Sequence, residues 1–185
     1  MKKKQKSNNR ISTSTITMVA LMAAVVCVLA PFSIPIGPIP ISLATMGLYL
    51  AVMIVGGKKA TIVCLMYLLI GFVGLPVFSG FTGGPAKLLG PTGGYLLGYL
   101  LLTMIAGWFV DKFPSKRGMC VLGLILGTAA CYTVGAAWLA FQMEISFGAA
   151  WTLGAAPFLL GDVVKIITAV WFGMIIRGRI RKTIS

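Results

Sequence analysis

Histidine is absent from this chain and acid is scarce: three Asp plus Glu stand against sixteen Lys plus Arg in 185 residues. Without imidazole there is no His-ligated metal site, and no catalytic dyad or triad that runs on a histidine base. Charged residues make up 10% of the chain, where a soluble domain carries about 25%. Together with a hydrophobic content of 58%, this excludes an ordinary soluble globular domain. The cysteines Cys27, Cys64, Cys120 and Cys131 fall inside apolar runs at spacings that match no metal or redox motif, which assigns them to core packing. No Gly-x-x-x-x-Gly-Lys-Ser/Thr stretch occurs, so any coupling to ATP has to come from another subunit.

What is present is base, and its placement decides its meaning. A net charge of +13 in a soluble protein would suggest nucleic acid, but here the charges punctuate apolar runs instead of lining a face. Lys2, Lys3, Lys4, Lys6 and Arg10 precede the run Ile11 to Ala30; Arg177, Arg179, Arg181 and Lys182 follow the run that starts at Pro157. Between them lie the runs 41–55, 60–73, 95–110 and 119–141. A helix needs about 20 apolar residues to cross a bilayer core, so the first, fifth and sixth runs qualify outright. The three shorter ones borrow uncharged neighbours: Gly56 and Gly57, then Gly74 to Phe78, then Gly93 and Gly94. The fold class expected is therefore all-α and integral to the membrane, with six transmembrane helices. The first run is too long for the apolar region of a signal peptide, about 7–15 residues, and is kept as a helix of the mature protein.

Six spans put both termini on one side, and the positive-inside bias then places fourteen of the sixteen basic residues in cytoplasmic segments. The exceptions are Lys87, in an outer loop, and Lys165, within the last run. The chain divides into a basic cytoplasmic tail 1–10, a six-helix membrane domain 11–177 and a second basic cytoplasmic tail 178–185. The basic clusters serve topology and contact with anionic lipid, and nothing favours a nucleic-acid partner.

Two outer connections stand out. Pro31 to Pro40 holds four prolines and remains apolar through Phe32, Ile34, Ile36 and Ile39, so it reads as a lid folded against protein or ligand. The stretch from Gly74 to Tyr95 is rich in glycine and interrupted by Pro76, Pro85 and Pro91, so it cannot be one regular helix. Irregular backbone near membrane depth survives only where protein buries it or where it lines a cavity, and such stretches point to binding sites in transport proteins.

Asp162 and Lys165 are the ionisable residues inside a spanning run, at a cost of about 2.5–3.5 kcal/mol each on insertion scales. Their i, i+3 spacing puts both on one helix face, where they can pair or grip a common ligand. A helix starting near Pro157 would set Asp162 about 8 Å in from the outer side.

At these residues the chain resembles the BioY family, the biotin-specific substrate-binding subunits of energy-coupling-factor vitamin transporters. The matching stretches are Gly74-Leu-Pro-Val-Phe78 with the Ser-Gly-Phe-Thr-Gly-Gly that follows, Gly90-Pro-Thr-Gly-Gly-Tyr95, and Pro157-Phe-Leu-Leu-Gly-Asp-Val-Val-Lys165. Ala20-Leu-Met-Ala-Ala24 is similar to the family's small-residue face on the first helix. The chain departs from the pattern where Ser42-Leu43-Ala44 replaces the end of a Pro-x-Thr-Leu-Gln motif, and where Leu160 replaces a proline before Gly-Asp. The resemblance implies a prokaryotic, multi-pass subunit of the cell membrane that captures biotin from outside. It would work with a transmembrane coupling subunit and two ATPase subunits, and would need no cofactor, metal or catalytic residue of its own.

Asp162 is suited to accept from the two ureido N–H groups of biotin, and Lys165 to donate to the ureido carbonyl or to the carboxylate tail. Phe78, Tyr49, Tyr95 and Trp151 would supply apolar walls, and Ser79 and Thr92 neutral hydrogen bonds. Ala20 and Ala24 form a smooth face for a partner helix. The alternative of an autonomous vitamin transporter driven by an ion gradient requires a proton or sodium relay, and Asp162 is the one carboxylate deep enough to serve. An intramembrane enzyme lacks candidate chemistry. The topology predicts that a cysteine introduced at Gly37 reacts with an impermeant maleimide added outside the cell; reaction from the cytoplasmic side alone would invert the orientation.

Overall fold

The computed structural model describes residues 13–37 and 39–184, with the backbone alone over 181–184. The basic tail 1–10, Pro38 and the side chains of Arg181 and Lys182 therefore lie outside the described residues. Eight helices are described, in the order α1 Thr13–Leu29, α2 Ala44–Val55, α3 Gly57–Phe72, α4 Pro85–Leu89, α5 Gly93–Lys112, α6 Arg117–Met143, α7 Phe147–Gly154 and α8 Leu159–Ile184. Each of the six apolar runs folds as helix: α1, α2, α3, α5, α6 and α8. By length and composition, three helical stretches suffice to cross a membrane, Gly93–Lys112, Arg117–Met143 and Phe147–Ile180, while α1 and α2 are shorter apolar helices.

The borrowing of neighbours succeeds once in three cases. Gly93 and Gly94 open α5 as expected, but α2 stops at Val55 and α3 at Phe72. The reason at Gly56 is its backbone, at φ +84°, which ends one helix and starts the next within a single residue. A Cβ there would also meet Asp111 Oδ1 at 2.6 Å. Gly74, at φ +108°, turns the chain after α3, and Phe78 then pairs with Thr82 in an isolated antiparallel bridge. The Pro-rich connection is not featureless either. It forms a hairpin of two short strands, β1 Ser33–Ile34 and β2 Ile41–Ser42, in antiparallel register with Ser33 opposite Ser42.

The helices pack through small residues. The most extensive contact joins α5 to α6; α2 lies on α8, and α3 on both α1 and α5. Along the α5/α6 seam, a Cβ added at Gly127 would come 2.8 Å from the Leu102 carbonyl oxygen, and one at Gly98 would come 2.9 Å from that of Cys131. Between α3 and α5, Gly57 and Gly107 bring the two backbones into direct contact. Small residues let helices approach where lipid offers no hydrophobic drive for association. The core that results centres on Leu48, Val52, Met53, Tyr67, Leu102 and Leu124, and it takes in buried Cys64, Cys120 and Cys131 while Cys27 is half-buried at its edge.

One end of the bundle carries the hairpin, the bridge around Phe78 and the start of α8. The other carries base: Asp111 accepts from the Gly57 N–H at 3.0 Å and faces Arg177 Nη2 at 3.9 Å, which gathers the ends of α3, α5 and α8. Gly127→Ala, which forces a Cβ onto backbone, should lower the stability of the purified protein by about 1–3 kcal/mol. Gly178→Ala, in open space on α8, should leave it unchanged or raise it by up to about 1 kcal/mol. Thermal unfolding in detergent compares the two.

Candidate functional site

Asp162 is the hub of the hairpin end. α8 begins at Leu159, after a 3-10 turn over Ala156–Phe158, so Asp162 lies in the helix's first turn and nearer its end than a start at Pro157 implies. That position favours a carboxylate, because unpaired peptide N–H groups and the helix dipole converge there. Asp162 is 3% exposed. Its Oδ1 faces Lys165 Nζ at 3.3 Å and accepts from the Thr45 hydroxyl at a longer 3.5 Å, and its Oδ2 accepts a short hydrogen bond from the Tyr132 hydroxyl. Lys165 in turn donates to Thr45 Oγ1 at 2.9 Å and to the carbonyl of Ser42 at 3.0 Å. One carboxylate thus ties together α8, α2 and α6, and its lysine adds strand β2. Lys165 thus makes two hydrogen bonds beside its ion pair with Asp162. A carboxylate offers about four acceptor positions, so Asp162 keeps one on Oδ2.

Above this hub lies a cleft in two halves that meet at Tyr95 and Tyr99 beneath Ile39 and Pro40. The first half is walled by Ser42, Thr45, Tyr132, Phe158 and Lys165, and the second by Tyr67, Ser79, Thr92 and Leu96. Their free volumes are about 40 Å³ and 30 Å³, enough for water and too small for a ligand with a ring system. Among the described residues, the buried side-chain polar atoms with no partner are the hydroxyls of Tyr67, Thr92 and Tyr95. All three line the second half of the cleft. Buried polar groups left unpaired are costly, so their convergence marks a place where a ligand's donors and acceptors are expected. Among the described residues, no group of three His, Cys, Asp or Glu side chains is placed to hold a metal.

The residues singled out from the sequence fall into three sets. Lys165, Ser79, Thr92 and Tyr95 line the cleft, and Asp162 stands directly behind Lys165, Thr45 and Tyr132. Phe78 is fully buried beneath the cleft, its ring edge-on to Tyr67 at 5.4 Å, so it supports the wall without forming it. Tyr49 and Trp151 are in neither lining. Tyr49 is fully buried with its hydroxyl 2.7 Å from that of Thr128, and Trp151 packs on Phe147 at 5.9 Å. Ala20 and Ala24 are exposed on the outward side of α1, whereas Ala23 is buried against the bundle. Of the four apolar side chains expected to fold inward from the Pro-rich connection, Ile39 does so; Phe32, Ile34 and Ile36 remain exposed, with Phe32 edge-on to Phe81 at 5.6 Å.

Sequence reasoning missed Thr45, Tyr67, Tyr99 and Tyr132, and the backbone carbonyl of Ser42. Each polar side chain sits in an apolar run with no motif around it. The available signal for Thr45 was a hydroxyl near the start of the apolar run 41–55, three residues after Ser42. Ala44 brings no polar group to the cleft, and Thr45 beside it supplies one.

A BioY family model matches residues 1–182. The chain is 35% identical over 160 residues to Biotin transporter BioY2 of Lactococcus lactis, with 86% of this chain and 88% of that protein covered. It is 37% identical over 155 residues to a probable biotin transporter BioY of Pyrococcus horikoshii, covering 84% and 91%. Its fold superposes on a crystal structure described as the S-component for biotin from an ECF-type ABC transporter, with a TM-score of 0.83, 32% identity, and 94% and 95% of the two chains covered. The names of these relatives describe transport rather than catalysis.

Proposed function

The chain belongs to the BioY family, and from that premise we propose that it is the biotin-binding subunit of an energy-coupling-factor uptake transporter. One observation carries the reading: the three unpartnered buried hydroxyls open into a cleft whose far wall holds Lys165 and, behind it, Asp162. Biotin offers two ureido N–H donors, a ureido carbonyl, a sulfur-containing ring and a carboxylate. The free acceptor position on Asp162 suits a ureido N–H, and Lys165 suits the carbonyl or the carboxylate once it releases one of its present partners. The hydroxyls of Ser79, Thr92, Tyr67 and Tyr95 serve the remaining polar atoms. Phe78 and Tyr49 act as supports in this reading, and Trp151 closes the flank.

The cleft as it stands is smaller than biotin, so capture requires Ile39 and Pro40 to withdraw. The Pro-rich connection is on this account a lid, and the Ser42 carbonyl at its foot is the contact that Lys165 exchanges for ligand. We further infer that α1, α2, α3, α5, α6 and α8 are six spans of one membrane domain, 11–177. Both termini would be cytoplasmic and the hairpin end would face outward. The exposed alanines of α1 would be the surface that meets the transmembrane coupling subunit, which two ATPases drive.

Asp162→Ala should weaken biotin binding on the order of tenfold to a hundredfold, because each charge-assisted bond contributes roughly 1.5–3 kcal/mol. Asp162→Asn, which keeps the shape and one acceptor, should lose less. Calorimetry with biotin and with an analogue blocked at the ureido nitrogens should show the Ala variant losing most of the discrimination between them. An Ala variant that binds biotin as tightly as wild type and merely unfolds earlier would make the ion pair structural. On the partner surface, Ala20→Trp or Ala24→Trp should abolish ATP-driven uptake while the isolated subunit still binds biotin; equal loss of binding would return that face to the bundle.

A further inference from the structure

The basic end of the bundle has a second depression that biotin capture does not use. It is a groove between α3 and α5 with a free volume of about 460 Å³, lined by Gly57, Lys58, Thr61, Met104, Trp108 and Asp111. Trp108 and Met104 are one helical turn apart on α5, so the groove's apolar wall runs along the helix away from the charged end. Trp108 is 54% exposed and Met104 57%, although both are large and apolar. At the mouth, the Lys112 ammonium sits over the Trp108 ring at 4.5 Å, and Lys58 is exposed across the groove.

The charges at this mouth do not cancel. Asp111 gives one oxygen to the Gly57 N–H and turns the other toward Arg177, and among the described residues no carboxylate forms an ion pair with Lys58 or Lys112. The occupant that fits must therefore be negative at the mouth and apolar along the wall. It must also reach the groove from the membrane, because Met104 and Trp108 are exposed on a face of α5 that, on the six-span reading proposed above, meets lipid. A tryptophan carrying a lysine on its ring is an amphipathic anchor of the kind that sits at the headgroup level. We propose that this groove is a binding site for a phospholipid of net negative charge, its phosphate held between Lys58 and Lys112 and one acyl chain laid against Trp108 and Met104.

Trp108 reports on its own site. The full chain is placed in phosphatidylcholine nanodiscs containing phosphatidylglycerol brominated on the acyl chain, and Trp108 quenching is taken as the difference from W108F, which keeps the other three tryptophans. A basic residue near a membrane surface contributes about 1 kcal/mol toward an anionic lipid, so half-quenching should occur at a mole fraction on the order of tenfold lower than with brominated phosphatidylcholine. K58Q/K112Q should remove that preference and K58R/K112R should keep it. K116Q/R117Q, which deletes as much charge at the same end, should also keep it. Biotin binding, at the other end, should be unchanged in all variants. The proposal is overturned if the two lipids quench alike in the parent chain, if the preference survives K58Q/K112Q, or if K116Q/R117Q removes it equally, which would mean a diffuse surface field. It also falls if K58Q/K112Q leaves the lipid preference intact and instead prevents assembly with the other transporter subunits, for then the groove receives protein.

Discussion

A carboxylate inside a membrane-embedded bundle has to be satisfied by the protein, and the hairpin end of this molecule is organised around satisfying Asp162. Four separate parts of the chain converge on it directly or through Lys165: α8, α2, α6 and strand β2. Stability alone does not account for this expense. A buried ion pair replaced by apolar side chains of similar volume is often as stable or more so, because desolvation offsets the attraction. What the pair provides that leucines cannot is a set of oriented polar atoms along one wall of a cleft whose other wall holds unpartnered hydroxyls. The energetic argument and the geometric one therefore point the same way, toward recognition.

That constellation is held to its geometry by packing that involves almost no charge. Where Gly127 and Gly98 let α5 and α6 approach, Tyr95 on α5 and Tyr132 on α6 meet edge-on with ring centres 6.3 Å apart, and both line the cleft's first half. A wider seam would separate them. The same logic operates between α3 and α5, which touch at Gly57 and Gly107 and lead to Tyr67 and Thr92 in the cleft's second half. Small residues thus set distances at the site from a helical turn or more away, without touching it.

This division explains what was legible in the sequence. Charge and hydropathy gave away the apolar runs, the basic ends and the Asp162 and Lys165 pair, because each is a local property of composition or of i, i+3 spacing. Lining residues such as Tyr67, Tyr99 and Tyr132 were not legible, because a tyrosine within an apolar run is equally a core residue until its neighbours are known. Tyr49 has the same local signature and lies in the core, its hydroxyl 2.7 Å from that of Thr128. The short runs misled for a further reason. Gly56 and Gly74 are uncharged and so extend a hydropathy profile, but their positive φ ends the helix. Hydropathy sees the absence of charge and not the backbone.

The hairpin links the two halves of the argument. Lys165 spends one of its three N–H groups on the Ser42 carbonyl, and Ser42 pairs with Ser33 across the strands, so the lysine is bonded to the element that roofs the cleft. Gly80 donates to the Pro31 carbonyl at 3.0 Å, and Phe32 leans on Phe81, which fastens the hairpin's other strand to the Gly-rich segment. A ligand group that took the lysine N–H would therefore release the roof from one side while the other side stayed attached. On the lid reading proposed above, lid position and occupancy of the cleft would be coupled through this ammonium group. On that reading the element that would move is the two-stranded hairpin itself, which is held by few backbone bonds and leaves Ile34 and Ile36 exposed.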